Sequence, residues 1–454
     1  MKELRACLIT FGCQMNEYDS GRLARLLTAR GWRLVNNRDE ADFIFFNTCS
    51  IREKAAQRVL NHLDQVRPLK KKNPALIIGV GGCVAEQEGA ELLKRAPWLD
   101  LVVGPQHLPE IPDLLAKLAV GAKGRSLTGS GERPAWSREN LGQLGWDPEV
   151  DLQAPEEGGS PLLGSVTIMQ GCNNYCTYCV VPYLRGPELS RRADDIIDEV
   201  RRLVDKGVMD VTLLGQNVNS YGQGLDGAPS FPRLLEMAAA AGVERLRFTT
   251  SHPKDFSPEL VNLYGRLPAL CEFLHLPVQS GSNRVLKAMG RVYTRESYLE
   301  LVDRLRAQCP GLALSTDIIV GFPGETEEDF EETMSLIEAV GYDSMFSFKY
   351  SDRSIAKASA FGGKVPEEEK GRRLTRLQQR QKEIAVAKNQ AHIGQTLEVL
   401  VEKVSDRYHG QLTGRARNFK LVHFDGPPEL IGRFVPVRIT EAAAATMRGV
   451  ADTL

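Results

Sequence analysis

No charge of one sign dominates this chain. Fifty-seven Lys and Arg stand against 58 Asp and Glu in 454 residues, so a polyanionic partner has to be met by a local patch and not by overall attraction. Long apolar runs are missing too. The opening MKELRACLITFGCQMNEYDS has a short apolar run but no extended apolar region or small-residue cleavage site, and nothing approaches the roughly 20 apolar residues that span a bilayer. A cytoplasmic protein with no membrane partner, expected to be a monomer, is the reading. Aromatic residues make up only 7%, which leaves few surfaces for base stacking. Cysteine is present nine times, an odd count that in a reducing compartment fits metal or catalytic use better than disulfides. The rest is ordinary globular composition, enough for roughly two to four domains with their own cores.

From Ala6 to about Pro105, apolar runs (ACLITFG, DFIFFNTC, ALIIGVGGC, DLVVG) alternate with amphipathic ones. That alternation predicts a Rossmann-like parallel α/β domain over about 1–145, with Ser20 capping its first helix and Gly31 ending it. Gly, Pro, Ser and charge then mark a linker reaching about residue 160. Beyond it, SVTIMQ, DVTLLG, RLRFTT, EFLHLP, LALSTDIIVG and SMFSFKY recur with helical patterns between them. Six β/α units predict an incomplete TIM-like barrel over 161–390. Pro366 to about Ala391 reads as one long helix carrying seven basic residues between Lys370 and Lys388 against the single acid Glu383. The tail, 391–454, has short β-rich runs broken by Gly and Pro, a small antiparallel β-barrel. All nine cysteines lie upstream of it.

The stretch GCNNYCTYC spaces Cys172, Cys176 and Cys179 as C-x3-C-x2-C just after the first barrel strand and offers no fourth ligand. A structural zinc site or a four-thiolate iron–sulfur cluster needs four. The motif resembles the signature of the radical S-adenosylmethionine (SAM) enzymes, and the resemblance implies a 4Fe–4S cluster whose open corner is taken by the methionyl amine and carboxylate of the cofactor. It also implies that Tyr178 packs near the adenine. Cys13, Cys49 and Cys83 each end a predicted strand, in TFGCQMN, FNTCSIRE and GVGGCVAEQ. A parallel sheet gathers such ends along one edge; from spacing alone, a second cluster and three separate structural cysteines stand equal.

TFGCQMNEYDS, NTCSIREKA, GCNNYCTYCVVPY, LLGQNVNSYG, LHLPVQSGSN, MGRVYTRESY and DIIVGFPGETEEDF together are similar to the methylthiotransferases, with a C-terminal TRAM domain in GQTLEVLVE and GQLTGRARNFKLVHF. The match runs over essentially the whole chain, and CQMN with the asparagine pair after Cys172 looks like the tRNA-acting branch. The resemblance implies two 4Fe–4S clusters, the second on Cys13, Cys49 and Cys83, and addition of a methylthio group to carbon 2 of an isopentenylated adenine beside the anticodon. One SAM would yield the radical and a second the methyl group; flavodoxin or ferredoxin would supply electrons. It further implies cofactor contacts from Gln216, Asn217, Ser251, Gln279 and Asp317 near the strand ends, though helix caps and turns explain each taken singly. Two loops depart from the family: YSDRSIAKASAF replaces a YSPRPGT-like sequence and PYLRGPE a PYTRGRE-like one.

For RNA, Arg372, Arg373, Arg376 and Arg380 recur at helical spacing and can face phosphates, with a solvated helix face as the bland reading; Phe419 and Phe424 are the tail's stacking candidates. Cys7, Cys271 and Cys309 read as structural, His252 and His275 as strand-end residues, and GFPGETEED as a capping box from Thr326 to Asp329 rather than a phosphate loop. Rival readings are a methylthiotransferase for threonylcarbamoyladenosine or a ribosomal-protein aspartate, and an RNA-binding protein braced by its clusters.

Overall fold

The computed structural model describes residues 3–50, 55–119, 125–128, 162–405, 408 and 410–452. The sequence-predicted linker therefore falls mostly outside the described residues. The chain forms two compact units, one of residues 1–159, 169–173 and 180–195, the other of 160–168, 174–179 and 196–454.

In the first unit, β1 (Leu4–Phe11), β2 (Trp32–Leu34), β3 (Phe43–Thr48), β4 (Ile77–Gly82), β5 (Leu101–Val103) and β6 (Arg125–Leu127) form one parallel sheet in the order β2-β1-β3-β4-β5-β6. Strand β3 shows why the run FIFFNT is apolar throughout. Alternate side chains leave opposite faces of a strand, so Phe43 and Phe45 join Leu23 and Leu27 of the helix Gln14–Ala29 on one side, while Ile44 and Phe46 join Val59, Leu63 and Val66 of the helix Ala55–Lys72 on the other. Covering both faces is what a parallel sheet requires. Ser20 does not cap the first helix: that helix begins after Cys13, and Ser20 is a buried mid-helix residue accepting hydrogen bonds from Thr10 and Asn47.

In the second unit, six strands follow in chain order: Leu163–Thr167, Asp210–Leu214, Arg245–Phe248, Phe273–His275, Ala313–Val320 and Ser344–Lys349. Neighbours pair in parallel, and a bridge between Leu246 and Leu270 links the third strand to the segment before the fourth. Six β/α units thus build an incomplete barrel. The helix Glu367–Gln390 follows, and the tail closes five strands into a barrel around Val399, Val401, Leu412, Val422, Phe424, Val437 and Ile439.

The small barrel is fastened to the N-terminal ends of the large barrel's strands. Arg245 opens the third strand with its side chain 1% exposed and donates to the carbonyl oxygens of Arg415 and Glu398 at 2.6 and 2.9 Å. Arg247 pairs with buried Asp210 at 2.9 Å and donates to the Arg417 carbonyl at 2.7 Å. In return Arg417 pairs with Glu272 at 2.9 Å, and Lys420 with Asp343 at 2.8 Å. Since reactive groups of such barrels sit at the opposite, C-terminal strand ends, the tail leaves that end free.

Candidate cluster and cofactor sites

Cys13, Cys49 and Cys83 stand at equivalent places, each at the C-terminal end of a parallel strand: after β1, after β3 and after β4. The amide of Cys49 donates to Phe11 O at 3.0 Å, and the Cys13 and Cys49 thiols are in hydrogen-bonding contact. Gly12 makes room for this approach, because a Cβ there would lie 2.9 Å from the Cys49 Cβ and 2.8 Å from Asn16 Oδ1. Gly82, with φ +87°, turns the chain into Cys83, and a Cβ there would meet Thr48 O at 2.3 Å. Two asparagines hold the loops. Asn16 donates to Asn47 Oδ1 at 2.9 Å and to Thr48 O, Asn47 donates back to Asn16 O at 2.8 Å, and the Cys13 thiol donates to Asn16 Oδ1 at 3.2 Å.

Electrostatics favour thiolate at one corner and oppose it at another. The Cys49 contact foremost, with Arg185 and the amides of Asn16 and Met15, pulls Cys13 down to about 6 against the penalty of burial. Burial pushes Cys83 up, and the adjacent Arg185 works against it. Arg185 is 5% exposed and pairs with equally buried Asp19 at 2.8 Å. It comes from the loop PYLRGPE, and neither its ion pair nor the bonding of Asn16 to Asn47 is legible in sequence, because single polar residues carry no periodic signal that names their partners.

Among the described residues no three His, Cys, Asp or Glu side chains close on a single metal ion. A 4Fe–4S cluster asks for a different arrangement, with each thiolate bound to its own iron. The donor chemistry of the Cys13, Cys49 and Cys83 set fits that group: three thiols, one already drawn toward thiolate, with a buried cation beside them.

Cys172 and Cys176 are buried and Cys179 half-buried. The Cys172 amide donates to Gly186 O at 3.1 Å, the Cys179 amide to Cys176 O at 2.9 Å, and the Thr177 amide to Met289 O at 2.9 Å. Arg291 Nη1 lies 3.5 Å from Cys176 Sγ. Tyr178 packs beside Ile319 against Val285, Met289 and Phe322, and burial raises its phenol well above the ordinary value.

Around the barrel the sequence-predicted polar residues are placed as follows. Gln216 and Asn217 follow the second strand, and Asn217 donates to Asp255 at 2.8 Å. Ser251 is 4% exposed, and among the described residues its buried Oγ has no hydrogen-bond partner. Gln279 lies beyond the fourth strand at φ +75°, bridged to Ile318, and Asp317 is inside the fifth strand, 3.5 Å from His275 Nε2, not at its end. Tyr175, Thr250 and Gln279 all have left-handed φ values, 46°, 65° and 75°. Such strain in residues other than glycine concentrates at functional sites, and among the described residues it falls on the cysteine loop, on the loops after two strands and, at Phe419 with φ 66°, on a turn of the small barrel. An orphaned buried hydroxyl fits a polar cofactor.

The profile of the radical SAM superfamily matches residues 166–337, that of the Uncharacterized protein family UPF0004 residues 5–104, and that of the TRAM domain residues 390–451. A tRNA-2-methylthio-N(6)-dimethylallyladenosine synthase of Syntrophobacter fumaroxidans is 48% identical over 447 residues, 97% of this chain and 94% of that protein. The chain belongs to the tRNA-2-methylthio-N(6)-dimethylallyladenosine synthase family. A family member from Moorella thermoacetica is 46% identical, with 97% of each chain covered. The radical SAM methyltransferase TsrM of Kitasatospora setae, solved with cobalamin and a [4Fe-4S] cluster, matches at TM-score 0.56 and 16% identity over 79% of this chain and 77% of that one, a likeness of fold. As a radical SAM methylthiotransferase of this family, the enzyme uses two 4Fe–4S clusters and SAM.

Of the RNA-facing residues expected from sequence, the structure contradicts Phe424 and gives the four arginines acidic partners. Arg372, Arg373, Arg376 and Arg380 are drawn into ion pairs with the helix Glu327–Val340, its approach and their own helix. Arg372 pairs with Glu327 and Glu369, Arg373 with Glu325 and Glu369, Arg376 with Glu327 and Glu331, and Arg380 with Glu338 and Glu383. The acids that neutralise them lie mostly some 45 residues away in sequence, beyond the reach of a local charge count. Phe424 is 0% exposed inside the small barrel and cannot stack on a base. Phe419 remains 39% exposed, with one face on Phe273 at 4.8 Å between ring centroids. It lines a cleft of about 660 Å3 with Phe346, Phe348, Gln378, Lys382 and Arg415; Phe346 is 57% exposed.

Replacing Arg373 by glutamine is expected to cost about 3–5 kcal/mol, because it strands Glu325, whose side chain is 2% exposed. Arg380→Gln, on a solvent-exposed pair, should leave stability near that of the parent. The midpoints of anaerobic chemical denaturation check this; a small effect at both positions together with lost tRNA affinity would restore the phosphate-binding reading.

Proposed function

We propose that this chain adds a methylthio group to carbon 2 of N(6)-dimethylallyladenosine next to the anticodon of tRNA. The observation that carries it is the joint presence, in one chain with near-full-length likeness to this family, of a converged N-terminal cysteine set and a separate three-cysteine loop on a radical SAM barrel. A closed bracing site would use four ligands; a corner left open in the C-x3-C-x2-C loop serves chemistry.

When bound, the barrel cluster and SAM supply a reducing electron, a hydrogen-abstracting radical and a methyl group, and the N-terminal cluster serves the sulfur step. The protein's own residues have three tasks. Cys172, Cys176 and Cys179 hold the barrel cluster and Cys13, Cys49 and Cys83 the other. Tyr178, Gln216, Asn217, Ser251, Gln279 and Asp317 orient the cofactor, Ser251 with its unpartnered buried Oγ and Asp317 as a carboxylate already beside His275. The barrel walls exclude water from the reacting carbon, which protects a radical from side reactions. RNA docks along the cleft lined by Phe346, Phe419 and Lys382, where the exposed Phe346 ring stacks on an unstacked base and the Lys382 ammonium donates to phosphate. A low-potential electron carrier such as flavodoxin or ferredoxin reduces the clusters, and the protein acts as a monomer in the cytoplasm.

The anaerobically reconstituted protein, given SAM and reductant, is expected to form methylthiolated nucleoside only on RNA that already carries the isopentenyl group. Mass analysis of digested tRNA reads this. Product on threonylcarbamoylated tRNA or on a ribosomal protein, with none on isopentenylated tRNA, would assign the chain to a sister activity.

A further inference from the structure

Arg291 is 8% exposed, in the loop after the helix Asn283–Ala288. Its Nη2 donates to Pro277 O at 2.8 Å and its Nε to the Tyr293 hydroxyl at 2.8 Å, while Nη1 lies 3.5 Å from the Cys176 sulfur. The guanidinium also stands 5.1 Å over the Tyr293 ring. What it lacks is an acid: among the described residues no carboxylate forms an ion pair with it. The titratable groups around it are Cys176, Tyr178, Tyr293 and His252, with Lys254 beyond the last. An ordinary phenol stays protonated near pH 7, and His252, which burial, joined by Arg291 and Lys254, pushes down to about 2, is neutral as well, so none of the three balances the guanidinium. A buried charge without a counter-charge is costly, and the one group in contact that becomes an anion on metal binding is the Cys176 thiolate.

We infer that Arg291 is the counter-charge of the barrel's iron–sulfur cluster and, by facing one of its thiolates, raises that cluster's reduction potential. The inference rests on the radical SAM reading of Cys172, Cys176 and Cys179. Reduction adds one electron and makes the cluster with its thiolates more negative; a fixed cation beside it stabilises the reduced state more than the oxidised one. Hydrogen bonds to cluster sulfurs and nearby net charge are among the levers a protein has over such potentials. The N-terminal cysteine set offers a contrast, since its buried Arg185 is already neutralised by Asp19.

The test uses the full chain with Cys13, Cys49 and Cys83 changed to alanine, so that only the barrel cluster is present. Its midpoint potential is followed by electron paramagnetic resonance during a mediated redox titration. Arg291→Gln is expected to retain its iron and to titrate at a lower potential than this parent, and Arg291→Lys, which keeps the charge, to stay close to the parent. An iron-loaded Arg291→Gln protein with an unchanged or higher potential would overturn the inference. If Arg291→Gln loads no cluster, Arg291→Lys decides: loading at the parent's potential supports a requirement for charge, and failure to load shows that the guanidinium serves only the shape of the site. A parent that binds no iron on the remaining cysteines would instead sink the radical SAM reading itself.

Discussion

Changing Cys13, Cys49 and Cys83 together to alanine is expected to halve the iron, from about eight to about four atoms per chain, while reductive cleavage of SAM continues and no methylthiolated nucleoside forms. The expectation comes from how separately the two cysteine sets are built. Cys13 caps the helix Gln14–Ala29, Cys49 hydrogen-bonds back to the end of β1, and Cys83 starts its own helix after Gly82. The packing that shapes them is the sheet core around Phe43–Phe46 and the asparagine pair Asn16 and Asn47. Cys176 depends on other neighbours: Arg291 and, through Thr177, the Met289 carbonyl. The complementary variant, Cys172, Cys176 and Cys179 to alanine, is expected to lose a similar share of iron and all SAM cleavage. Iron analysis, absorption spectra and 5′-deoxyadenosine release measure the outcome. Full iron in the first variant would mean that its three cysteines hold no cluster; loss of cleavage in that variant would mean that the two sites do not act independently.

Much of this was legible in the sequence, for reasons that differ by element. The parallel sheet showed because strands covered on both faces read as unbroken apolar runs, as FIFFNT does. The cysteines stood out because tight spacing, as in GCNNYCTYC, and recurrence at strand ends are patterns that ligation would impose, and the structure places Cys13, Cys49 and Cys83 at three neighbouring strand ends with Cys13 and Cys49 in contact. The capping box from Thr326 to Asp329 showed because it is local, and the structure has both of its hydrogen bonds. What the sequence could not supply is what depends on the partner of a side chain. Arg372 and Arg376 read as a phosphate-facing stripe, and the acids that the helix Glu327–Val340 brings to them are not visible along the chain. Phe424 read as exposed because alternation in a short strand tells which residues share a face and not which face is inside. Arg185 and Arg291 could not be found at all, since a buried arginine looks like a surface one until its surroundings are known.

The tail is the other place where sequence misleads, and there the largest loss of stability is expected. Read along the chain, residues 391–454 form a detachable barrel whose removal spares every cysteine. In three dimensions Arg245 and Arg247, 1% and 2% exposed, are satisfied largely by it, through the carbonyls of Arg415, Arg417 and Glu398, and Arg245 also lies 4.7 Å over the Phe434 ring. Cutting the chain at residue 393 would open these guanidiniums, with Phe273 and Leu270 beside them, at the base of the radical SAM barrel. The truncated protein is therefore expected to be poorly soluble or molten, not a folded enzyme that merely binds RNA less well. A point substitution isolates the cause. Arg247→Ala leaves Asp210, 5% exposed, as an unpaired buried carboxylate, and the expected cost is about 3–5 kcal/mol. Replacing Arg247 and Asp210 together by methionine and leucine removes both charges and should recover most of that loss. Because this pair lies at the strand end opposite the cofactor loops, Arg247→Ala should still cleave SAM at temperatures where it stays folded. Thermal melting of the iron-loaded proteins, with deoxyadenosine release measured well below the transition, gives both readings. A truncated chain that melts like the full-length protein, or an Arg247→Ala variant as stable as its parent, would show that the tail is tethered to the barrel and not part of its foundation.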